Sequence, residues 1–157
     1  DMEAKTVADS DVKTSQIMTP LDVNSVGNVH GGVIMRLVDT TAALVAMRHA
    51  RSNVVTASID RMDFHNPVFV GDLVTFKASL NMAGKTSMEV GVRVEREQPL
   101  SGETKHVASA YLTMAAMGED RKPQPIPPLT VITETETRRN REANNRREAR
   151  FRERQAK

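Results

Sequence analysis

The residue that most needs a chemical explanation in this 157-residue chain is Asp39, a carboxylate within an otherwise apolar segment. Between positions 33 and 47 the only charged side chains are Arg36 and Asp39. An ionised carboxylate among apolar groups is costly unless a partner neutralises it or water reaches it. Two explanations stay open. Arg36 could form an ion pair with Asp39 one helical turn away, or Asp39 could be a reactive group.

Two glycines, Gly31 and Gly32, stand where this apolar segment begins. If the segment is helical, Gly32 lies two turns before Asp39, on the same face to within about 20°. Free N–H groups at a helix N-terminus attract negative charge, and glycines let a ligand come close to them. The pair therefore offers an oxyanion site, although the glycines could equally serve only a tight turn into the core.

Two amides, Asn24 and Asn28, occupy the loop that leads into the glycines. Most loop asparagines cap turns with their side-chain oxygen. A functional amide would instead hold a water molecule or a carbonyl oxygen without adding charge, a role that suits a neighbouring carboxylate.

Several other chemistries are excluded or disfavoured. The chain has no Cys, so disulfides, thiolate metal sites and a cysteine nucleophile are impossible. Gly84-Lys85-Thr86 resembles the end of a phosphate-binding loop, but Ser79 stands where the first glycine is required, so the segment is predicted to be a hairpin turn. The four histidines lack metal-ligand spacing, and we expect no metal site.

The elements that must position these residues follow from hydrophobic periodicity. Residues 33–47 predict a helix that is apolar on nearly every side and therefore buried. Strands are predicted at 12–18, 54–64, 73–82, 86–95 and 105–117, the last three as an antiparallel meander. Strict alternation in 54–64 would place Thr56, Ser58, Asp60 and Met62 on one face, and Val55, Ala57, Ile59 and Arg61 on the other.

A wholly apolar helix followed by antiparallel strands predicts an α+β fold in which a curved sheet wraps the helix, since a flat sheet would cover only one helical face. Such a sheet has an open edge, where pairing with a second copy is expected. Residues 1–128 are predicted to form this domain, with a charged, helical tail at 129–157 after a proline-rich connector.

The tail carries the net positive charge of the chain. From 134 to 157 there are nine Lys or Arg against five acids, whereas the rest of the chain is slightly acidic. One alternative is therefore a non-catalytic interaction protein that contacts phosphates through this tail. The interspersed acids and the scarcity of aromatic residues argue against nucleic-acid binding. No apolar stretch approaches the length of a membrane span, and we expect a cytoplasmic protein without a membrane partner.

A longer pattern joins these residues, namely Asn24-x3-Asn28-Val29-His30-Gly31-Gly32-x6-Asp39 followed by Val55-Thr56-Ala57-Ser58. With Asp60, Phe64, Pro67, Gly71-Asp72 and Thr86-Ser87-Met88-Glu89, it resembles the hotdog-fold acyl-CoA thioesterases, in particular bacterial cytosolic acyl-CoA hydrolases related to the brain-type enzyme. The resemblance covers residues 12–128. It implies hotdog protomers that dimerise through sheet edges and assemble further as trimers of dimers, with acyl-CoA as substrate and no cofactor, because coenzyme A is part of that substrate.

The resemblance also implies roles for residues. Asn24 of one protomer and Asp39 of the other would form the catalytic pair, and Gly32, with Gly31 beside it, would present the backbone amide to the thioester oxygen. Substrate contacts are assigned more broadly, to His30, Thr56, Arg61, Lys85, Thr86 and Ser87. The acyl chain would lie against residues such as Met35, Val38 and Met62.

The thioester chemistry leaves the role of Asp39 open, as a general base on water or as a nucleophile that forms a mixed anhydride. A hotdog acyl-thioester dehydratase is a second alternative to hydrolysis. Such enzymes rely on a catalytic histidine, whereas the helix here offers Asp39.

Overall fold

A 20-residue helix, α1 (Gly31–Ala50), packs against a five-stranded antiparallel sheet in the computed structural model, which describes residues 2–157. Ile34, Val38, Ala42 and Val45 recur every three or four residues along α1 and are fully buried against the sheet. The helix ends at Arg51, which adopts a left-handed conformation (φ 53°) and donates its N–H to the Met47 carbonyl.

The strand order in the main sheet is β2-β4-β5-β6-β3. Its strands are β2 (Val12–Ile17), β3 (Asn53–Phe64), β4 (Leu73–Ala83), β5 (Ser87–Glu97) and β6 (Thr104–Met117), and a separate parallel pair consists of β1 (Lys5–Thr6) and β7 (Leu129–Thr130). The predicted meander is confirmed as β4-β5-β6, and Gly84-Lys85-Thr86 is the predicted hairpin turn. β3 lies at one edge of the sheet, where only β6 pairs with it.

The core lies between α1 and the inner face of the sheet. Phe76 of β4, Val90 of β5, and Leu112 and Met114 of β6 are each at most 1% exposed. This arrangement confirms the predicted α+β fold with a helix packed on an antiparallel sheet.

The prediction that α1 is buried on nearly every side is wrong for a single protomer. Met35, Leu44 and Met47 are 36% to 42% exposed. Five strands of one chain cover only one side of the helix, so α1 keeps an open side and leaves part of its apolar surface uncovered.

The predicted strict alternation of β3 is also wrong, because two bulges interrupt the strand. Register shifts lie between Thr56 and Ser58 and between Asp60 and Asp63. Each bulge inserts one extra residue and reverses the face on which the next residues of the strand lie. Thr56 pairs with the inward Met114 and therefore faces α1, whereas Asp60 pairs with Tyr111 and faces outward.

The charged tail contains the second helix, α2 (Glu134–Gln155). Thr133 caps it by accepting a 3.1 Å hydrogen bond from the Glu136 N–H, and its first turn is acidic and its last turn basic, which complements the helix dipole. The helix packs on the outer face of the sheet, where Ala143 is fully buried. Its polar contacts with the sheet include ion pairs from Arg146 to Glu89 and from Arg150 to Asp60.

Candidate active site

Asp39 lies half-buried at the margin of the open side of α1, where it contacts Thr56 of β3. The Thr56 hydroxyl donates a 2.6 Å hydrogen bond to Asp39 Oδ1. This contact depends on the first bulge of β3, which leaves Thr56 pointing inward while Ser58 points outward. Arg36 forms no ion pair with Asp39, so the first explanation for this carboxylate does not hold within the protomer.

The N-terminus of α1 presents two free donors. His30 is the exposed residue just before the helix. Its backbone carbonyl oxygen accepts hydrogen bonds from the Val33 and Ile34 N–H groups at 3.0 and 3.5 Å. The amides of Gly31 and Gly32 have no acceptor among residues 2–157. A Cβ at position 32 would meet no atom within 4 Å, so there is open space beside this residue.

Asn24 has a structural role and a spare functional group. Its Oδ1 accepts hydrogen bonds from the Val26 and Asn28 N–H groups at 3.0 and 3.1 Å, which holds the entry loop in a turn. In the described part of the chain its side-chain NH₂ has no partner. The turn-capping explanation is therefore correct for the oxygen and leaves the donor available.

A cleft of about 280 Å³ joins the entry loop to the helix N-terminus. Asn24, Asn28 and Gly31 line it together with residues 64–68, which connect β3 to β4. Phe64 and Pro67 are motif residues in the sequence, but the sequence did not predict that residues 64–68 line this cleft. The Asn66 side chain fixes this connection by donating a 2.7 Å hydrogen bond to the His106 carbonyl.

Asp39 does not line this cleft. It stands eight residues after Gly31, or about 12 Å further along the helix axis at 1.5 Å per residue. Within one protomer, Asn24 therefore lies near the helix N-terminus and Thr56 lies beside Asp39. The Asn24 side chain and the Asp39 carboxylate are far apart.

The remaining predicted contacts lie at two ends of the molecule. Lys85 and Thr86 form the β4–β5 hairpin and Ser87 begins β5, one register row from the row that contains Thr56. Arg61 lies further along β3 in an exposed 2.7 Å ion pair with Asp63.

Of the residues predicted to contact the acyl chain, Val38 is not accessible, because it is fully buried in the core. Met62 is partly buried against the core, whereas Met35 is 42% exposed. Met35 is therefore the most accessible of the three.

Within residues 2–157 no cluster of three or more histidines and acids could hold a metal ion. Over the same range, neither helix combines the length and the apolar character that a membrane crossing requires.

Comparison with known proteins places this arrangement among thioesterases. Residues 26–103 match the family model described as the thioesterase superfamily. The chain is 35% identical over 146 residues to the mouse cytosolic acyl coenzyme A thioester hydrolase, a match that covers 92% of this chain and 38% of that protein. The chain thus spans well under half of this longer relative. It is 38% identical to the uncharacterized acyl-CoA thioester hydrolase YkhA of Bacillus subtilis, over 80% of this chain and 72% of that protein.

Solved structures agree over nearly the whole chain. An apo-hexameric acyl-CoA thioesterase superposes with a TM-score of 0.93 at 38% identity, covering 97% of both chains. The acyl-CoA hydrolase of Staphylococcus aureus, solved with butyryl coenzyme A, coenzyme A and coenzyme A disulfide, superposes with a TM-score of 0.89 at 32% identity, covering 96% of this chain and 92% of that one. The hotdog fold is thereby confirmed.

Three variants of the Staphylococcus aureus enzyme have also been solved, in which an Asn, an Asp or a Thr is replaced by Ala. The replaced Asn and Asp are 15 positions apart, and the Asp and Thr are 17 apart. Asn24, Asp39 and Thr56 have the same order and the same spacing.

Proposed function

The chain belongs to the thioesterase superfamily, and from this premise we propose that it hydrolyses acyl-CoA thioesters to a free carboxylic acid and coenzyme A. The observation that carries the proposal is the contact between Thr56 and Asp39 on the margin of the open side of α1. The spacing of Asn24, Asp39 and Thr56, identical to that of the three residues varied in the Staphylococcus aureus enzyme, supports their assignment to one site.

Asp39 is proposed as the catalytic carboxylate. As a general base it would take a proton from a water molecule whose oxygen attacks the thioester carbon. As a nucleophile it would attack that carbon itself, and water would then cleave the mixed anhydride. In both routes the C–S bond breaks and coenzyme A leaves as a thiolate. Because a thiol has a pKa of about 8.5, this departure needs no strong acid.

The free amides of Gly31 and Gly32 are proposed to stabilise the oxyanion that develops on the thioester oxygen. The partial positive charge of the α1 N-terminus adds to their effect. Donors of this kind are typically worth about 10²- to 10³-fold in rate. The proposed reaction needs no cofactor, since coenzyme A enters as part of the substrate.

The separation of Asn24 from Asp39 within one protomer supports a site shared between two chains. The free edge of β3 can pair with the same edge of a second copy, which would bring the entry loop of one protomer to the Asp39 of the other. We propose this homodimer as the catalytic unit. The hexameric structural neighbour supports its further assembly as a trimer of dimers.

The substrate is proposed to extend in two directions from the thioester. Met35 would contact the acyl chain, and Lys85, Thr86 and Ser87 would contact the nucleotide end of coenzyme A. Arg61 is a weaker candidate for that role, because it is ion-paired with Asp63 beyond the second bulge of β3. A cytosolic location is proposed from the mouse relative, which is named cytosolic.

Thiol release from a series of acyl-CoA thioesters of increasing chain length tests the activity. We expect the wild-type protein to hydrolyse part of the series. Asp39→Asn keeps an oxygen that can accept the Thr56 hydrogen bond but removes the charge, so kcat should fall about 10²- to 10⁴-fold. Asp63→Asn, which replaces an exposed carboxylate on the same strand as Thr56, is the matched control and should retain the wild-type kcat.

Two results would reject the proposal. One is the absence of thiol release from every acyl-CoA in the series by folded wild-type protein. The other is an Asp39→Asn variant that turns over substrate as fast as the Asp63→Asn control.

A further inference from the structure

Within one protomer, pairing with a single neighbouring strand sets the register of β3, the strand that carries Thr56. β3 is an edge strand that only β6 supports within the protomer, and both of its bulges interrupt that ladder. The short segment 58–60 lies between the bulges. A register slip of one residue in a strand turns every side chain to the opposite face. Such a slip at the first bulge would remove Thr56 from Asp39, so a contact that fixes which face segment 58–60 presents would hold Thr56 in place both in the single protomer and in the proposed dimer.

Helix α2 supplies that support from the outer face of the sheet. Arg150 Nη1 donates a 2.7 Å hydrogen bond to Asp60 Oδ2, in an ion pair whose side chains are 17% and 25% exposed. Asp60 belongs to the segment between the bulges and faces outward. The ion pair therefore contacts β3 where its ladder is most interrupted.

The same helix is anchored to the rigid centre of the sheet. Arg146 donates from Nε and Nη2 to the two oxygens of Glu89 on β5, each at 2.8 Å, and Glu89 is only 1% exposed. The Arg146 guanidinium also lies 3.7 Å from the centre of the Tyr111 ring on β6. One helical turn separates Arg146 from Arg150, so a continuous helix links Asp60 on β3 to the central strands β5 and β6.

We infer that Arg150 is a positioning residue for the proposed hydrolysis. By holding Asp60 in a charge-assisted hydrogen bond, it maintains the bulged conformation of β3 that directs Thr56 towards Asp39. Arg150 lies on the outer face and acts on the site only through β3. The inference rests on the proposed function for its catalytic consequence, whereas its structural consequence can be measured without substrate.

The test compares Arg150→Gln, Arg150→Lys and Asp60→Asn in the whole 157-residue chain, with Arg152→Gln as the matched control. Arg152 lies on the same helix and pairs only with Glu148, and its side chain is 76% exposed. We expect Arg150→Gln and Asp60→Asn to lower kcat about tenfold or more with little change in KM, since small misplacements of reacting groups are costly. Arg150→Lys should recover most of the rate, and Arg152→Gln should have no effect.

Amide hydrogen exchange supplies the readout that does not depend on activity. In Arg150→Gln and Asp60→Asn we expect faster exchange in residues 56–64, with β4 and β5 unchanged and the oligomeric state retained. Unchanged exchange in 56–64 in both variants overturns the inference, as does acceleration spread equally over the whole sheet. A wild-type protein that hydrolyses no acyl-CoA would reject the proposed function, while the exchange result would still decide the positioning claim.

Discussion

The hydroxyl of Thr56 donates a 2.6 Å hydrogen bond to the carboxylate of Asp39, and this contact ties the edge strand β3 to the central helix α1. It forms within a single protomer, before any partner is present. It also occupies one oxygen of the carboxylate and leaves the other free.

Removing the Thr56 hydroxyl should lower activity with little effect on folding. Thr56→Val keeps the shape of the side chain but cannot donate to Asp39, whereas Thr56→Ser keeps the donor. Without this hydrogen bond the Asp39 carboxylate is no longer held in one position, and small misplacements of a reacting group are costly, so we expect kcat of Thr56→Val to fall about 10- to 100-fold. Thr56→Ser should stay within a few-fold of wild type. Steady-state kinetics on one acyl-CoA decides this, and equal rates for the two variants would contradict it.

The two functions of Asn24 can be separated by substitution. Asn24→Asp retains an oxygen that can accept from the Val26 and Asn28 amides but loses the NH₂ donor and adds charge. We expect its melting temperature to match the wild type while kcat falls sharply. Asn24→Ala loses both groups and should also lose about 1 kcal/mol of stability for each missing hydrogen bond. Full activity in the Asn24→Asp variant would show that the Asn24 NH₂ group has no part in the reaction.

Gly32 allows the backbone donor itself to be tested. Proline is tolerated in the first turn of a helix and lacks an N–H, and position 32 has open space around a side chain. Gly32→Pro should therefore keep the fold and lower kcat about 10²- to 10³-fold through the lost oxyanion donor. Gly32→Ala keeps the N–H and is the control, with a much smaller expected loss. Similar kinetics for the two variants, with wild-type circular dichroism, would show that this N–H does not contact the oxyanion.

The buried ion pair between Glu89 and Arg146 should stabilise the docked tail. Glu89 is 1% exposed, and it also accepts a 2.9 Å hydrogen bond from Asn81. The same ion pair raises the pKa of Arg146, chiefly through its hydrogen bonds to Glu89. Arg146→Met leaves the carboxylate without its cation and should cost about 3 kcal/mol of unfolding free energy.

The double variant Glu89→Gln with Arg146→Met should lose less than the Arg146→Met variant alone, because no unpaired charge remains. Urea unfolding at one fixed protein concentration measures both losses. If the double variant is the less stable of the two, the unpaired carboxylate is not the cause of the loss.

His49 should make stability dependent on pH. It is fully buried, its Nε2 lies 2.8 Å from the Pro127 carbonyl oxygen, and burial lowers its pKa below 6.5 although that hydrogen bond opposes the shift. The unfolded chain therefore binds a proton at higher pH than the folded protein does. Unfolding free energy should then be highest above about pH 6.5 and fall as the pH decreases below it.

His49→Gln can still donate to Pro127 but does not titrate, so its unfolding free energy should depend less on pH between about 7.5 and 5.5. Urea unfolding across this range is the measurement. An equally steep decline in the variant would assign the effect to other groups, such as His106, whose pKa is also lowered, chiefly by burial.

The sequence by itself determined the elements and the anomalous residue. Hydrophobic period is a local property, so the helix and the five main strands were placed to within three residues of their observed bounds. Asp39 stood out because a charge in an apolar run is costly wherever that run folds. Its joint assignment with Asn24 and the glycines came from the spacing of a family motif rather than from any local rule.

Only the tertiary structure decided how these groups face one another. The alternation rule assumes an unbroken pleat, and the bulges of β3 appear only when β6 pairs with it, which is why Thr56 and Asp60 were assigned to the same face. The docking of α2 was also unpredictable from the tail, because the Arg146–Glu89 pair joins residues 57 positions apart. Local periodicity carries no information on such long-range pairs, since they depend on which surfaces the folded sheet presents.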